Sequence, residues 1–260
     1  NTTMHNINFT NNLLSKLVIR KSSQVVMRKI NMISQNKKNK VSKNVIFTLT
    51  KIKRVGIYMS KFVNITGSLF SVIDVYTFNI NYVILINLRS FSGSIYIILV
   101  SPSNIKISRC IFRHCHSESS GGVLNLKISR PKETSLENFN GILKNEDNHR
   151  VYVAIYIDAS NFTKCTSLKN GGVLSLDDRD SKIGLGKSRE VREVMPNMTL
   201  LITYSSFTAN NVRSSGACLW IFHFSQIDIQ KCRLFENSAG LAGGAIFFKH
   251  TQNISVSDSM

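Results

Sequence analysis

Pairs of acidic side chains are the first feature of this 260-residue chain that could do chemistry. Glycoside hydrolysis needs two carboxyl groups that flank the bond to be cleaved, at a separation that selects retention or inversion. Asp177 and Asp178 form an adjacent pair, with Asp180 nearby. Asp158 and Asp228 lie beside aliphatic residues at what we expect to be matching positions, where they would stack on one exposed face. Polar residues that alternate with aliphatic residues are typical of outward positions in strands, so we assign no catalytic residue.

Other common catalytic motifs are missing from the sequence. It has no Gly-x-Ser-x-Gly elbow that would expose a nucleophilic serine. It also has no complete Gly-x-x-x-x-Gly-Lys-Ser/Thr loop that would hold phosphates, because Ser181 stands at the first glycine position before Gly186-Lys187-Ser188. The six histidines are scattered along the chain. These observations argue against a serine hydrolase of that type and against a P-loop protein, and we predict that the chain is not an enzyme.

The five cysteines allow two interpretations. Cys110 and Cys115, with His114 and His116, are of types that bind metals, but no cysteines form a Cys-x-x-Cys pair, so a zinc ribbon or thioredoxin-like motif is not supported. Alternatively, the cysteines are buried packing residues, as free cysteine commonly is. Because they alternate with serine and asparagine in the repeat described next, we favour ladder positions in the core and predict no metal or cofactor.

Four segments of the chain share one template. It reads aliphatic-x-aliphatic-x-x-Cys/Ser-x-Phe/Leu-x-x-Asn/Cys, followed after a short spacer by a glycine turn, a small residue and an aliphatic residue. The copies begin at Ile105, Ile155, Leu200 and Ile227, and their turns contain Gly121, Gly171, Gly216 and Gly243. A fifth copy begins at Ile254 with Ser259 in the Cys/Ser position, so we expect the array to continue beyond Met260.

The template predicts short strands that stack as a parallel β-solenoid. Aliphatic residues two positions apart lie on the same face of a strand, whereas a helix would repeat at three or four. The glycine pair provides a sharp turn or a close backbone approach before a second short strand. Repeats of this kind bury their apolar face only against neighbouring repeats. In that arrangement Ile107, Ile157, Ile202 and Ile229 would line one internal column, with adjacent coils about 4.8 Å apart.

The best copy runs from Leu234 to Ile246 and contains Leu-Phe-Glu-Asn followed by Gly-Gly-Ala-Ile. It resembles the Phe-x-x-Asn and Gly-Gly-Ala-Ile repeat of the chlamydial polymorphic outer-membrane proteins, and the wider architecture is similar to the right-handed parallel β-helix of pectate-lyase-like proteins. The resemblance covers residues 105–260, with Leu for Phe in this copy, Cys for Asn in two copies and one glycine missing in the third. It implies an all-β, right-handed parallel β-helix with loop insertions, in a protein that is extracellular or at the cell surface.

Enzymes with this architecture suggest the alternative function, a polysaccharide lyase or glycoside hydrolase that acts on an anionic glycan. The resemblance implies that a lyase would use strand-borne acids to hold Ca²⁺, together with a basic Arg or Lys. The Gly-His-Gly and Asn-Thr-Asp patterns of the polygalacturonases of this family do not occur in the sequence.

Two long insertions leave the repeats at one point, at residues 127–150 and 177–197. They contain nine of the fifteen acids, interleaved with Lys and Arg. These acids are Glu133, Glu137, Glu146, Asp147, Asp177, Asp178, Asp180, Glu190 and Glu193. Insertions at one repeat position lie on one face of a solenoid, often the binding face. The alternative is that they are solvated loops or degenerate extra coils without a role.

Positive charge is concentrated near the beginning of the chain. The formal net charge is +18, thirteen Lys and Arg lie from Lys16 to Lys61, and the first acid is Asp74. Such a region attracts nucleic acid, anionic membranes or acidic polysaccharides. Aromatic residues for base stacking, such as Phe9 and Phe47, are isolated, so we expect no specific nucleic-acid partner. The alternative source of the charge is AT-rich coding, which would enrich Lys, Asn and Ile without selection for binding.

These patterns predict a basic N-terminal segment at residues 1–53, with early irregular coils, and a parallel β-helix at residues 54–260 that is truncated at its C-terminal end. Residues 55–62 are expected to be a degenerate copy, and residues 84–86 and 95–97 to be strand-like. The predicted function is non-catalytic and adhesive or structural, with charged loops presented to a glycan or to a host or neighbouring cell surface. No apolar stretch reaches the length of a spanning helix, so we expect a membrane anchor, if one exists, outside this chain.

Overall fold

The computed structural model describes residues 1–10, 16–34, 43–99, 103–128, 152–177 and 197–260. These residues form 28 strands, numbered β1 to β28 in chain order, and none of them is helical. The strands pair in parallel and stack as a β-solenoid of about seven turns. The all-β class and the parallel solenoid predicted from the template are therefore confirmed.

Three parallel sheets form the walls of the solenoid. Sheet A has 15 strands, and most coils contribute two of them. They are β1 (Thr2–His5), β3 (Leu17–Arg20), β4 (Gln24–Arg28), β6 (Val45–Tyr58), β8 (Ser68–Asn81), β11 (Ile95–Leu99), β12 (Ser103–Ser108), β15 (Leu124–Ile128), β16 (Tyr152–Asp158), β19 (Leu174–Asp177), β20 (Asn197–Thr203), β23 (Leu219–Phe222), β24 (Gln226–Gln230), β27 (Ile246–Lys249) and β28 (Asn253–Ser257).

The other two sheets consist of shorter strands. Sheet B contains β2 (Asn8–Thr10), β5 (Asn31–Ile33), β7 (Lys61–Val63), β9 (Ile84–Ile86), β13 (Ile111–Arg113), β17 (Asn161–Thr163), β21 (Ser206–Thr208) and β25 (Arg233–Phe235). Sheet C contains β10 (Arg89–Ser90), β14 (His116–Ser117), β18 (Thr166–Ser167), β22 (Asn211–Val212) and β26 (Ser238–Ala239). A coil therefore passes from sheet A to sheet B, then to sheet C, and returns to sheet A.

One internal column of sheet A sets the register of the solenoid. Its members are Met4, Met27, Ile57, Ile80, Ile107, Ile157, Ile202, Ile229 and Val256. The seven residues from Met27 to Ile229 are at most 1% exposed. The single column predicted for Ile107, Ile157, Ile202 and Ile229 is therefore confirmed. Each of these side chains is covered on both sides by its equivalents, so every coil depends on its neighbours for burial.

Residues with positive φ form the corners between the sheets. At the corner between sheets A and B, here named the AB corner, φ lies between 46° and 54° in Asn6, Lys29, Met59, Tyr82, Arg109, Ala159, Tyr204, Lys231 and Asp258. At the corner between sheets B and C, the BC corner, the equivalent residues are Asn64, Asn87, His114, Lys164, Ala209 and Glu236. A single residue in the left-handed conformation interrupts the alternation of side chains and changes the direction of the chain. Only one buried residue then follows before the next strand begins.

The glycine turn between sheets C and A uses its two glycines for different reasons. The first glycine is left-handed, with φ between 62° and 68° in the four copies, and at Gly171 a Cβ atom would lie 2.0 Å from the carbonyl oxygen of Leu174. At the second, Gly172, a Cβ atom would lie 2.2 Å from the carbonyl oxygen of Ala217 in the next coil. Both the sharp turn and the close approach are therefore present. In the third copy Gly216 holds the first position and Ala217 the second.

A bend divides sheet A along its length. β6 and β8 cross it without a break, at Lys51 and Asp74, whose φ values are 55° and 57°. Residues 129–151 lie between β15 and β16, and residues 178–196 lie between β19 and β20. Because β15 pairs with β19 and β16 pairs with β20, both insertions leave the solenoid at this bend. The insertions themselves lie outside the described residues.

Strands before residue 54 belong to the same sheets. Val25 of β4 pairs with Val55 of β6, and Met32 of β5 pairs with Phe62 of β7. Val25 and Met32 are at most 3% exposed. β6 spans the position at which the basic segment was expected to end, since it covers Val45–Tyr58. Residues 55–62 fill the template as predicted, and residues 84–86 and 95–97 lie in strands β9 and β11.

Candidate functional site

The acids on the strands do not form the exposed column expected from the sequence, and that prediction is wrong. Asp158 pairs with Thr203, whereas Asp228 pairs with Leu201 of the same strand, β20. The two acids are offset by two positions because Asp158 follows the internal column of its coil and Asp228 precedes it. Thr203 Oγ1 donates to Asp158 Oδ1 at 2.8 Å, and Gln230 Nε2 donates to Asp228 Oδ2 at 2.8 Å. Each acid is therefore held by a different polar neighbour.

Asp177 ends β19, where it pairs with Lys127 of β15. Asp178 and Asp180 lie outside the described residues. The same is true of Glu133, Glu137, Glu146, Asp147, Glu190 and Glu193. In the part of the chain that the structure describes, no group of three or more His, Cys, Asp or Glu side chains could hold a metal ion.

The Cys/Ser position of the template forms a hydrogen-bonded ladder directly after the AB corner. Ser160 Oγ donates to the carbonyl oxygen of Asp158 at 2.9 Å and accepts from the N–H of Cys110, in the preceding coil, at 3.1 Å. The Cys110 thiol makes the equivalent bond to the carbonyl oxygen of Ser108 at 3.1 Å. Burial raises the pKa of Cys110 to about 11, although hydrogen bonds from the backbone, first from Val83, partly offset this effect. A small side chain with one donor thus satisfies backbone groups that the corner leaves without a sheet partner.

The Asn/Cys position follows the BC corner and forms a second ladder. Asn210 Nδ2 donates to the carbonyl oxygen of Phe162 at 3.1 Å, and Asn210 Oδ1 accepts from the N–H of Cys165 at 2.9 Å. Asn237 Nδ2 makes the equivalent bond to Phe207 at 2.9 Å. Cys115 occupies this position one coil before Cys165.

All five cysteines are free and buried. The ladder positions predicted for Cys110, Cys115, Cys165 and Cys232 are therefore confirmed, while Cys218 lies directly after the glycine turn, where its N–H donates to Ala245 at 2.8 Å. Burial raises the pKa of Cys218 and of Cys165 well above the ordinary value, and the neighbouring Cys115 thiol adds to the shift at Cys165. Thiols in this environment are packing residues rather than nucleophiles.

The cysteines and histidines that could bind a metal according to the sequence lie on different sides of the solenoid wall. Cys110 and Cys115 are buried, whereas His114 is exposed at the BC corner. His116 begins β14, and its Nδ1 lies 2.8 Å from Oγ1 of Thr166. Burial, followed by the charge of Arg89, lowers the pKa of His116, which keeps the ring neutral at physiological pH. The arrangement therefore does not bring these four side chains to one point.

The AB corner presents exposed tyrosines beside cations of the next coil. Tyr82 is 49% exposed, Arg109 Cζ lies 5.4 Å from the centroid of its ring, and Arg109 Nη1 donates to its hydroxyl. Further along the same corner, Tyr204 is 62% exposed, and Lys231 Nζ lies 5.2 Å from its ring centroid and 3.2 Å from its hydroxyl. The hydrogen bond that Lys231 donates to the Tyr204 hydroxyl raises the pKa of Lys231. We name these four residues the tyrosine–cation ridge.

A third pair of this kind lies beside the AB corner toward the beginning of the chain. Arg28 Cζ lies 5.3 Å from the centroid of the Tyr58 ring. This ring lies over Gly56, where a Cβ atom would be 2.4 Å from Cε2 of the tyrosine. Glycine weakens a strand, but here its missing side chain lets the aromatic ring lie flat on the outer face of sheet A.

A shallow depression of ≈ 330 Å³ adjoins the ridge at Tyr82. It is lined by Met59, Ser60, Lys61, Tyr82 and Ile84. Met59 is 51% exposed, and Lys61 is exposed at the start of β7. The depression therefore combines an aromatic ring, an apolar side chain and a cation at one edge of the solenoid.

Acidic side chains are rare beside this edge. Asp74 is the first acid of the chain, and it lies at the bend within sheet A rather than at the AB corner. Along the corner itself, Asp158 stands next to Ala159, and Asp258 follows Lys231 in the last described coil. From Arg28 to Arg109 the charged side chains that we place on the edge are therefore all cations.

Sequence reasoning missed this edge because its residues occupy variable positions of the template. Tyr82 and Arg109 each lie two positions after an internal-column residue, where the four copies have Arg, Ala, Tyr and Lys. The signal that could have found them is an exposed aromatic residue followed by a cation at this position one repeat later.

Comparisons with known proteins give no match for this chain. It matches no protein-family model, no curated protein and no solved structure. None of the described residues belongs to a helix long and apolar enough to cross a membrane.

Proposed function

We propose that this chain is part of a non-catalytic β-solenoid that acts outside the cell or at its surface, where it has an adhesive or structural role. In this proposal the charged insertions bind a glycan or the surface of a host or neighbouring cell. The observation that carries it is the shared exit of residues 129–151 and 178–196 at one bend of sheet A, in consecutive coils. Long charged segments that leave a rigid support at one shared point are typical of a binding face.

The scaffold supports this proposal because its regularity resists deformation. Strand ladders and the internal column hold consecutive coils in register, and Phe112, Phe162 and Phe207 stack with ring centroids 4.9 and 4.8 Å apart. The proposal also uses the resemblance to the repeats of chlamydial polymorphic outer-membrane proteins and to pectate-lyase-like β-helices, from which the surface location and the adhesive role are taken. A fold by itself does not determine a function, so the insertions carry the functional argument.

The decisive experiment shortens the insertions without changing the coils. β23 and β24 cross the same bend with three residues, His223, Phe224 and Ser225, so this connection can replace residues 129–151 and, separately, residues 178–196. Binding of the full chain and of both variants is measured on immobilised neutral and acidic polysaccharides and on intact cells, with circular dichroism as the control for folding. We expect folded variants whose attachment is weaker than that of the full chain. Unchanged attachment of both variants would contradict the role given to the insertions.

Enzyme action is tested separately by release of unsaturated or reducing ends from acidic polysaccharides. The proposal predicts no release above the background of the buffer. Turnover that disappears in Asp177→Ala or Asp178→Ala would replace the adhesive function with that of a lyase or hydrolase.

A further inference from the structure

The tyrosine–cation ridge is the feature of the described residues that the proposed function leaves unexplained. Exposed aromatic side chains usually lie singly on a protein surface, whereas here they recur along one edge with a cation beside each ring. Tyr82 with Arg109 and Tyr204 with Lys231 have the same arrangement, although 122 residues of sequence separate the two tyrosines.

We infer that this edge, from Arg28 to Lys231, binds an anionic polysaccharide whose chain runs along the axis of the solenoid. The inference rests on the proposed function in one respect, because it assumes that the ligand of the surface protein is a glycan. It adds a second contact, at the AB corner of the coils, to the contact that the proposed function gives to the insertions at the bend of sheet A.

Charge complementarity supports an anionic ligand. Arg28, Lys29, Lys61 and Arg109 are exposed along the edge, and the region from the first residue to Asp74 has no acid. Guanidinium groups form paired hydrogen bonds with carboxylates and with other oxyanions, and these are stronger than bonds between neutral groups. Together with the two lysines, these guanidinium groups favour a ligand with negative charges repeated along its length.

Geometry favours a linear ligand, since equivalent residues of successive coils are one strand spacing apart, about 4.8 Å. The edge is a convex corner with a shallow depression at Met59 and Tyr82, which fits an extended chain that lies across several coils. A compact ligand would need a deeper, enclosed pocket.

The state of the tyrosine rings favours a sugar chain over single-stranded nucleic acid. Proteins that bind nucleic-acid strands stack successive bases on free aromatic faces. Here Arg109 lies over the ring of Tyr82, and Lys231 lies over the ring of Tyr204. A cation therefore occupies one face of each ring, and the guanidinium and ammonium groups at these positions pair with the carboxylate or sulfate groups of an acidic glycan.

The test removes the central pair of the ridge with the double variant Tyr82→Ala and Arg109→Ala. Both residues have left-handed backbones, but Ala159 holds the same corner position with φ of 46°, so alanine is compatible with the fold. The probes are a heparin-type sulfated polysaccharide and polygalacturonate, with dextran as the neutral chain and single-stranded DNA of similar length. Affinity is measured by titration calorimetry at about 0.15 M salt, where charges farther apart than roughly 8 Å are largely screened.

The matched control is Lys164→Ala, which removes one exposed cation at the BC corner, where Ala209 is the equivalent residue of the next coil. We expect the double variant to bind the acidic polysaccharides at least about tenfold more weakly, as expected for the loss of a charged hydrogen-bond donor. The control should change affinity by less than roughly twofold, the effect of an isolated surface charge.

Three outcomes would overturn the inference. The first is an equal loss of affinity in Lys164→Ala, which would mean that net charge alone attracts the ligand. The second is binding of single-stranded DNA that is as tight as binding of the acidic polysaccharides and is weakened as much by the double variant. The third is no binding of the full chain to either acidic polysaccharide. Attachment to dextran or cells that depends on the insertions would preserve the proposed function while the inference fails. If the chain cleaves the acidic polysaccharides and the double variant still binds them more weakly, the inference stands while the proposed non-catalytic function fails.

Discussion

At the residue scale, Ser160 explains why the repeat accepts both serine and cysteine in one position. Its hydroxyl donates to Asp158 and accepts from the buried N–H of Cys110, so one side chain joins two coils. Cys110 and Cys232 make the same local bond, to Ser108 and Gln230. The template therefore records a hydrogen-bonding requirement at the AB corner and not a preference for a reactive thiol.

Ser160→Ala should lower the free energy of unfolding by about 1–3 kcal/mol, because it leaves the buried N–H of Cys110 without an acceptor. Ser160→Cys is the matched variant, since cysteine occupies this position in two other coils, and it should cost less than about 1 kcal/mol. Urea unfolding followed by circular dichroism measures both values. Equal destabilisation by the two substitutions would mean that side-chain size, rather than the hydrogen bond, matters here.

At the scale of elements, the turns between sheets decide which residues can be replaced. Left-handed corners tolerate many side chains, as Tyr204, Lys164 and Ala209 show. The glycine turn differs because a carbonyl oxygen of the same turn occupies the space beside the α-carbon. The left-handed conformation alone therefore does not require glycine at the first position of the turn. The carbonyl oxygen that lies close to the α-carbon does require it.

Gly171→Ala should destabilise the protein by at least about 2 kcal/mol, because its Cβ atom would lie 2.0 Å from the carbonyl oxygen of Leu174. Gly244→Ala is the control, because its Cβ atom would meet the carbonyl oxygen of Asn237 at 3.7 Å, an ordinary contact. Thermal unfolding of both variants tests the difference. A stable Gly171→Ala protein would show that the turn can open without disturbing the ladder.

At the scale of the whole molecule, stability passes from coil to coil through the internal columns. Val25 and Met27 cover Val55 and Ile57, which in turn cover Phe78 and the next coil. Each described coil buries its apolar residues against the neighbouring coils, so loss of one coil exposes the apolar face of another.

Deletion of residues 1–34 should lower the urea midpoint and cause self-association, because it leaves the 14-residue strand β6 without β3 and β4 on one edge. Association is measured by analytical ultracentrifugation, with the full chain as the reference. A monomeric truncated protein with an unchanged midpoint would instead indicate that these strands form a separate, dispensable segment, in line with a boundary near residue 53.

Much of the fold could be predicted from the sequence because burial constrains the inward positions directly. The spacing of Ile105 and Ile107, the Cys/Ser position and the glycine turn are local features, and each recurs once per coil. Copies near the beginning of the chain were harder to recognise, since Ile30 and Val83 replace the polar ladder residue. These side chains are buried at the same position but have no hydrogen-bonding group.

The placement of outward residues was decided by the tertiary structure alone. Tyr82 meets Arg109, and Tyr204 meets Lys231, because both pairs are one coil apart although 27 residues apart in sequence. Packing fixes only the side chains that face the core. Which surface residues become neighbours depends on the length of each coil and on the corner at which its extra residues leave.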